Sequence, residues 1–325
     1  MLKTRTPSSN TFWVQSCMIL ICMLSFSCDA QQQQRVIIST DIGGSDPDDY
    51  QSLVHLLLYA DTLDIVGLVS SPPYEGRKEH ILEVIDAYEQ DYPELKLRSK
   101  KYPSADYLRS ITAQGALDSQ QSKLPDDEIS EGAQLIIDEA KKEDNRPLYI
   151  LVWGSITDIA QALNAAPEIK PNIRVYSIGS WNTTQDTSAR NYVYNEHSDL
   201  WFIESNSTFR GMYMGGFQDE DYGNLSFVNS HVKGFGALGE LFYQKKTDIK
   251  MGDTPSFLYL LNGNPSDPES ESWGGQFEKT DHGRNYWTDI QDPAFSENNR
   301  QGAKTVNKWR KDFLNDWKLR MSYLK

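Results

Sequence analysis

The stretch "STDIGGSDPDD" (residues 39–49) places four carboxylates and two glycines directly behind the apolar run "RVII". Carboxylates gathered at one point need a counter-charge, and the neighbouring residues narrow the choice. A phosphate loop needs the pattern GxxxxGK[ST]; there is no lysine here, and four negative charges would repel phosphate. An EF-hand loop needs a glycine at its turn, whereas "DPDDYQSL" lacks one and runs straight into a helical pattern. An acidic helix start accounts for Asp48 and Asp49, which favour the positive end of a helix dipole. It does not account for Asp41 at a strand end, or for the Gly43–Gly44 turn that lets the chain double back. A hard cation does. With oxygen donors and no His or Cys close by, Ca²⁺ is the natural candidate, and Mg²⁺ is less suited to a carboxylate cage.

The elements that must position these groups alternate along the chain. "RVIIST" (35–40), "LDIVGLVSS" (63–71), "PLYILVWG" (147–154) and "NIRVYSIG" (172–179) read as buried strands. "DDYQSLVHLLLYA" (48–60), "RKEHILEVIDAYEQDY" (77–92), "SEGAQLIIDEAKKED" (130–144) and "SITDIAQALNAA" (155–166) carry apolar residues at helical spacing. Such repetition predicts an α/β fold, with an open, mostly parallel sheet flanked by helices, forming one domain over 35–325. Residues 180–235 read mainly as loops, with later helices at 252–263 and 304–324. Ligands of such sheets bind outside the carboxyl ends of the strands, so the acidic loop lies on the functional rim.

The first thirty residues are a different kind of sequence. Lys3 and Arg5 precede the apolar run "FWVQSCMILICMLSF" and then small residues, the order of a secretory signal. Two processing readings stand open. In one, "CDA" is a cleavage site and the mature chain starts at Gln31; in the other, Cys28 is a lipoprotein cysteine that anchors the chain to a membrane. Either makes the protein secreted or periplasmic, with "QQQQ" (31–34) as a linker. Cys17, Cys22 and Cys28 all fall in this segment, so the body has no disulfide framework and no cysteine nucleophile. A net charge of −14 argues against nucleic acid or anionic lipid as the main partner, favours a neutral or cationic ligand and is compatible with a hard metal ion. No later segment is long and apolar enough for a membrane span; the oligomeric state is open.

Outside the acidic loop, His282 in "KTDHGRNYW" and His197 in "NEHSD" are candidates for a proton donor, whereas His55 and His80 sit in helical patterns. Trp273 in "SWGGQF", with Tyr286 and Trp287 nearby, could stack on a sugar ring or a base.

"TDIGGSDPDDYQSLVHLLLYA" resembles the N-terminal signature of nucleoside-hydrolase-like proteins, especially the bacterial branch often labelled cellulose-binding. "LYILVWGSITDIAQAL" (148–163) and "MGDTPSFLYLL" (251–261) are similar to later hydrolase segments, and "SWGGQF" (272–277) and "WRKDFLNDWKLRM" (309–321) to that branch. The resemblance implies a three-layer, Rossmann-like fold holding one Ca²⁺, and a sugar, nucleoside or glycan as ligand. It implies hydrolysis of N-glycosidic or related glycosidic bonds, or, on the same fold, carbohydrate binding without catalysis. By matching position, Asp41 would bind the metal and accept a proton from water. Asp49, Asp253 and the carbonyl of Trp153 would complete the metal site. Asp48 would hold ribose hydroxyls, and Asn182 and Asn191 resemble sugar-binding asparagines. The motif also departs from the family form. Ser39 stands for its first Asp, and seven residues rather than four separate Asp41 from Asp48, which makes Asp46 an alternative ligand. Ala189 replaces a glutamate, and Gly252 stands where many hydrolases have a histidine.

Overall fold

Every residue of "RVIIST" is buried in the computed structural model, as a strand covered on both faces requires. Residues 1–2, 32–44, 46–73, 76–119 and 129–325 are described. The predicted signal segment and both processing sites, Cys28 included, lie outside them. One unit spans Gln33–Lys325. The predicted linker therefore ends earlier than expected: Gln33 donates to the Asp61 carbonyl (2.9 Å), and the Gln34 carbonyl accepts from Asp64 N–H (2.9 Å).

The strands are β1 (Arg35–Thr40), β2 (Asp64–Ser70), β3 (Thr112–Gln114), β4 (Leu148–Val152), β5 (Ile173–Ile178), β6 (Trp201–Ser205), β7 (Phe277–Lys279) and β8 (Tyr286–Asp289). They form one sheet in the order β3-β2-β1-β4-β5-β6-β8-β7. Pairing is parallel throughout except between β7 and β8. The helices are α1 (Asp48–Leu57), α2 (Lys78–Arg98), α3 (Ala105–Ser110), α4 (Glu131–Ala140), α5 (Thr157–Ala165), α6 (Trp181–Gln185), α7 (Thr187–Glu196), α8 (Asn224–His231), α9 (Gly236–Lys245), α10 (Thr254–Leu261), α11 (Ala303–Asn307) and α12 (Arg310–Met321).

The period of two along each strand divides the interior into two cores. Val36, Ile38, Tyr149 and Leu151 face one core with α1, α2, α8, α9, α10 and α12. Ile37, Leu148, Ile150 and Val152 face the other with α4, α5 and α7. The result is the predicted three-layer α/β architecture. Residues 180–235 depart from the expectation of loops, since they contain β6, α6, α7 and α8. The polar composition of α7 hid it: only Ala189 and Val193 of its ten residues are buried, so it has almost no apolar stripe to read. The predicted C-terminal helix is two helices, α11 and α12, broken at Lys308–Trp309.

Candidate active site

β1 and β4 lie side by side in the sheet while their following strands diverge, which makes the rim between them the topological switch point. The chain leaves β1 at Asp41 and β4 at Trp153–Gly154. Gly154 is required by this approach: a Cβ there would sit 2.7 Å from both the Asp41 Cβ and the Ser71 Oγ. Gly43, at φ +90°, turns the acidic loop, and Gly44 N–H donates to the Asp41 carbonyl at 2.9 Å. The loop then feeds Asp48 and Asp49 into the first turn of α1.

Asp253 arrives from the other end of the sequence, at the N-cap of α10, without capping that helix by its side chain. Gln51 fixes its approach. The buried Gln51 amide donates to the carbonyls of Lys246 (3.2 Å) and Asp248 (2.9 Å) and accepts from the N–H groups of Lys250 (2.9 Å) and Met251 (3.2 Å). It thereby fastens the segment before α10 to α1. Met251 itself holds a positive φ of 28°, a strained conformation beside the site.

Asp48, Asp49 and Asp253 each present an oxygen within 4.8 Å of the others'. Asp49 and Asp253 are buried, at 5% and 3% exposure, whereas Asp48 is partly open to solvent. Thr40 Oγ1 donates to Asp49 Oδ1, and the carboxyl groups of Asp41 and Asp49 lie close enough to shift each other's proton affinity. Burial, and then the charge of Asp48, pushes the Asp41 carboxyl up to about 7. Burial and the charge of Asp49 raise Asp48 to about 7 as well. Asp49 and Asp253 are also raised well above the carboxylate range, chiefly by burial and then by one another and their acidic neighbours. Such a cluster is short of positive charge. Asp253 Oδ2 is buried with no hydrogen-bond partner among the described residues, and the donors are all oxygen, so the residues present fit a hard divalent cation.

The acidic cluster forms one end of a cleft of about 330 Å³. Asp41, Asp48, Asp49, Asp253, Trp153 and Asn182 meet there, as expected from sequence. Asn182 Nδ2 donates to the carbonyls of Trp153 (2.7 Å) and Ile178 (3.0 Å), so only its own oxygen is left to face a ligand. Trp153 is buried, with its indole N–H on Ser256 Oγ (2.7 Å). Its carbonyl retains a second lone pair.

Other expected residues lie elsewhere. Asp46 also lines the cleft but is ion-paired with Lys250 and lies outside the group of three carboxylates. Asn191 is exposed on α7 and does not line the cleft; its neighbour Arg190 donates to it at 3.4 Å. Trp273 is half-buried against the core. His282 is removed from the site because β7 runs antiparallel to β8. The loop joining them therefore falls at the amino edge of the sheet, opposite the cleft, where His282 stacks on Tyr194 (centroids 3.5 Å). His197, just before β6, lies at that same edge. Conversely, Trp181, Arg210, Tyr213 and Lys250 line the cleft without having been singled out. "GSWN" was visible in the sequence, but the role of Arg210 depends on a 3₁₀ turn at Thr208–Met212 that only the tertiary fold defines.

Comparison with known proteins agrees with this architecture. The family described as "Cellulose-binding Sde182, nucleoside hydrolase-like domain" matches residues 35–277. A nucleoside hydrolase-related protein from Saccharophagus degradans, described as associated with carbohydrate metabolism, superposes with a TM-score of 0.72 at 26% identity, covering 90% of this chain and 72% of that one. The type III effector XopQ, solved with adenosine diphosphate ribose, gives 0.54 at 10% identity, covering 91% and 95%. A plant nucleoside hydrolase gives 0.51 at 12% identity, covering 89% and 99%. These last two likenesses concern the fold. No curated protein matches the chain. With three quarters of its length matched, the chain belongs to the Sde182 family of nucleoside hydrolase-like domains.

Proposed function

We propose that this protein is a secreted or periplasmic, Ca²⁺-dependent hydrolase of N-glycosidic or related glycosidic bonds. The convergence of Asp48, Asp49 and Asp253 at the end of a cleft, with Asp253 Oδ2 unpartnered, carries the proposal. Matching position in the family divides their tasks, and burial agrees for Asp49 and Asp253. Asp49 and Asp253, both buried, would hold the ion together with Asp41 and the Trp153 carbonyl. When bound, Ca²⁺ would acidify a water molecule and offset the charge of the cluster. Asp41 accepts the proton of the attacking water at its carboxylate, which the charge of a bound ion would keep ionised near neutrality. Asp48, more open to the cleft, accepts hydrogen bonds from sugar hydroxyls; charged acceptors make the stronger bonds of this kind. The transition state of glycosyl transfer is oxocarbenium-like, and the surrounding carboxylates favour its positive charge.

Calcium titration into chelated protein and sugar release from a panel of nucleosides and glycosides test the proposal. One bound Ca²⁺ is expected, with sugar release falling at least about 100-fold in Asp41→Ala. Absence of calcium binding would sink the metal site. Equal inactivity of the wild type and Asp41→Ala, with glycan binding retained, would favour a second reading. In that reading the protein binds carbohydrate without cleaving it. Trp181 supports it, being 57% exposed at the cleft, where an indole face can stack on a sugar ring.

A further inference from the structure

The cleft that holds the carboxylates also carries cationic side chains, of which Lys250 is paired with Asp46. Arg210 lines it, on the 3₁₀ turn that follows β6, and is held rigidly. Its Nη1 donates to the Asn206 carbonyl (2.7 Å) and its Nη2 to Ser180 Oγ (3.0 Å), while the guanidinium lies 4.5 Å from the centre of the Phe209 ring. Asn206 also fixes the Ser180 backbone, its Oδ1 accepting from Ser180 N–H at 2.7 Å. Ser180 adopts a positive φ of 59°, unusual for a residue with a side chain. The loop is thus strained into the position that buttresses the arginine.

A guanidinium carries five N–H donors, and both protein acceptors named here are neutral. Among the described residues Arg210 makes no ion pair. Asp289, the carboxylate whose charge reaches it, spends its oxygens on the N–H groups of Asn206 (3.1 Å) and Thr208 (2.8 Å). Burial lowers the affinity of Arg210 for its proton; Tyr213 raises it in part, and the nearby charge of Arg300 lowers it again. Tyr213 also lines the cleft, within reach of the charges of Arg210 and Arg300 and of Asp48 and Asp253.

We infer that Arg210 is an anion-recognition residue and that the ligand of this cleft is an acidic sugar, carrying a carboxylate or phosphate group opposite its hydroxyl-bearing ring. The inference rests on the acidic end being the sugar-facing end. A guanidinium fork fits either oxyanion by paired hydrogen bonds, which a neutral sugar cannot supply. The net charge of −14 opposes such a ligand at long range, but this repulsion is screened beyond roughly 10 Å at ordinary salt. Contact with a fixed guanidinium is not screened in that way.

The test compares ribose 5-phosphate with ribose, and glucuronate with glucose, by calorimetric titration of the full chain with Ca²⁺ present. In at least one pair the anionic member should bind about tenfold more tightly, the worth of one charged hydrogen bond. The pair that shows the preference identifies the anion as phosphate or carboxylate. Arg210→Gln should abolish the preference while leaving calcium binding unchanged, and Arg210→Lys should keep part of it. If Arg210→Gln fails to fold, Arg210→Lys decides the matter: the preference should shrink and should persist at high salt, and a preference left at full size would overturn the inference. Equal affinities within both pairs, a preference that survives Arg210→Gln, or no binding by any of the four would overturn the inference. Failure of calcium binding in the separate titration would instead count against the metal site.

Discussion

Replacing Asp41 with asparagine should stabilise the protein when metal is removed and weaken it when Ca²⁺ is present. The folded chain holds the Asp41 carboxyl at about 7, from an ordinary value of 3.8. Between those limits the folded protein keeps a proton that the unfolded chain has lost. Stability of the metal-free protein therefore falls as the pH rises from about 4 to about 7, and then levels off. Each unit is worth about 1.4 kcal/mol, which sets a ceiling of about 4 kcal/mol for this group. Asparagine keeps the shape, removes the charge that weighs on Asp49 and Asp253, and can donate to the Asp49 carboxylate. Some local packing and solvation will be lost, so a gain of about 2 kcal/mol at pH 8 is expected, shrinking towards zero near pH 4. Urea denaturation followed by tryptophan fluorescence, in chelator at both pH values, measures it. Saturating Ca²⁺ should invert the order, since an ion at 1,000 times its Kd adds about 4 kcal/mol to whichever form binds it best. A variant less stable than wild type at pH 8 in chelator, or a gap that does not change with pH, would refute the electrostatic account of the cluster.

Two other substitutions probe the frame around the site. Gly154→Ala pushes a methyl group into the Asp41 backbone nitrogen, 2.9 Å from the new carbon, and should cost about 1–3 kcal/mol in a denaturant melt together with a clear loss of calcium affinity. Arg190→Gln removes the partner of Glu204, a carboxylate only 2% exposed that pairs with Arg190 Nη2 at 2.6 Å and also accepts from the Tyr286 hydroxyl. Leaving that charge buried should cost about 3 kcal/mol, read as a lower midpoint in urea with an unchanged slope.

What could be read from sequence follows from what each residue depends on. β1, β4 and β5 were legible because they are buried almost throughout and are rich in β-branched and other apolar residues. β6 and β8 were not. "WFIES" carries Glu204, whose donors Arg190, Tyr286 and Thr183 come from elsewhere in the chain, so its buried status has no local signature. Asp41, Asp48 and Asp49 stood out because they cluster at a strand end and a helix start, whereas Asp253 was reached only through the family resemblance. Arg210 and Tyr213 were missed because their place depends on the turn after β6. His282 was misplaced for the opposite reason. Its loop looked functional, but the reversed direction of β7 carries it to the far edge of the sheet, and sequence pattern is silent on strand direction.

The two strands that bound the sheet, β3 and β7, are three residues each. A long parallel sheet would normally offer an open ladder of backbone donors and acceptors at each side, a template on which other chains can grow. Here each margin pairs over only three residues, and β7 ends on Lys279, a charge unfavourable to a docking strand. Eight strands can therefore carry a deep acidic rim without making the sheet an adhesive surface. For a body with no disulfide to hold it, that restraint protects the partly folded chain as well as the finished one.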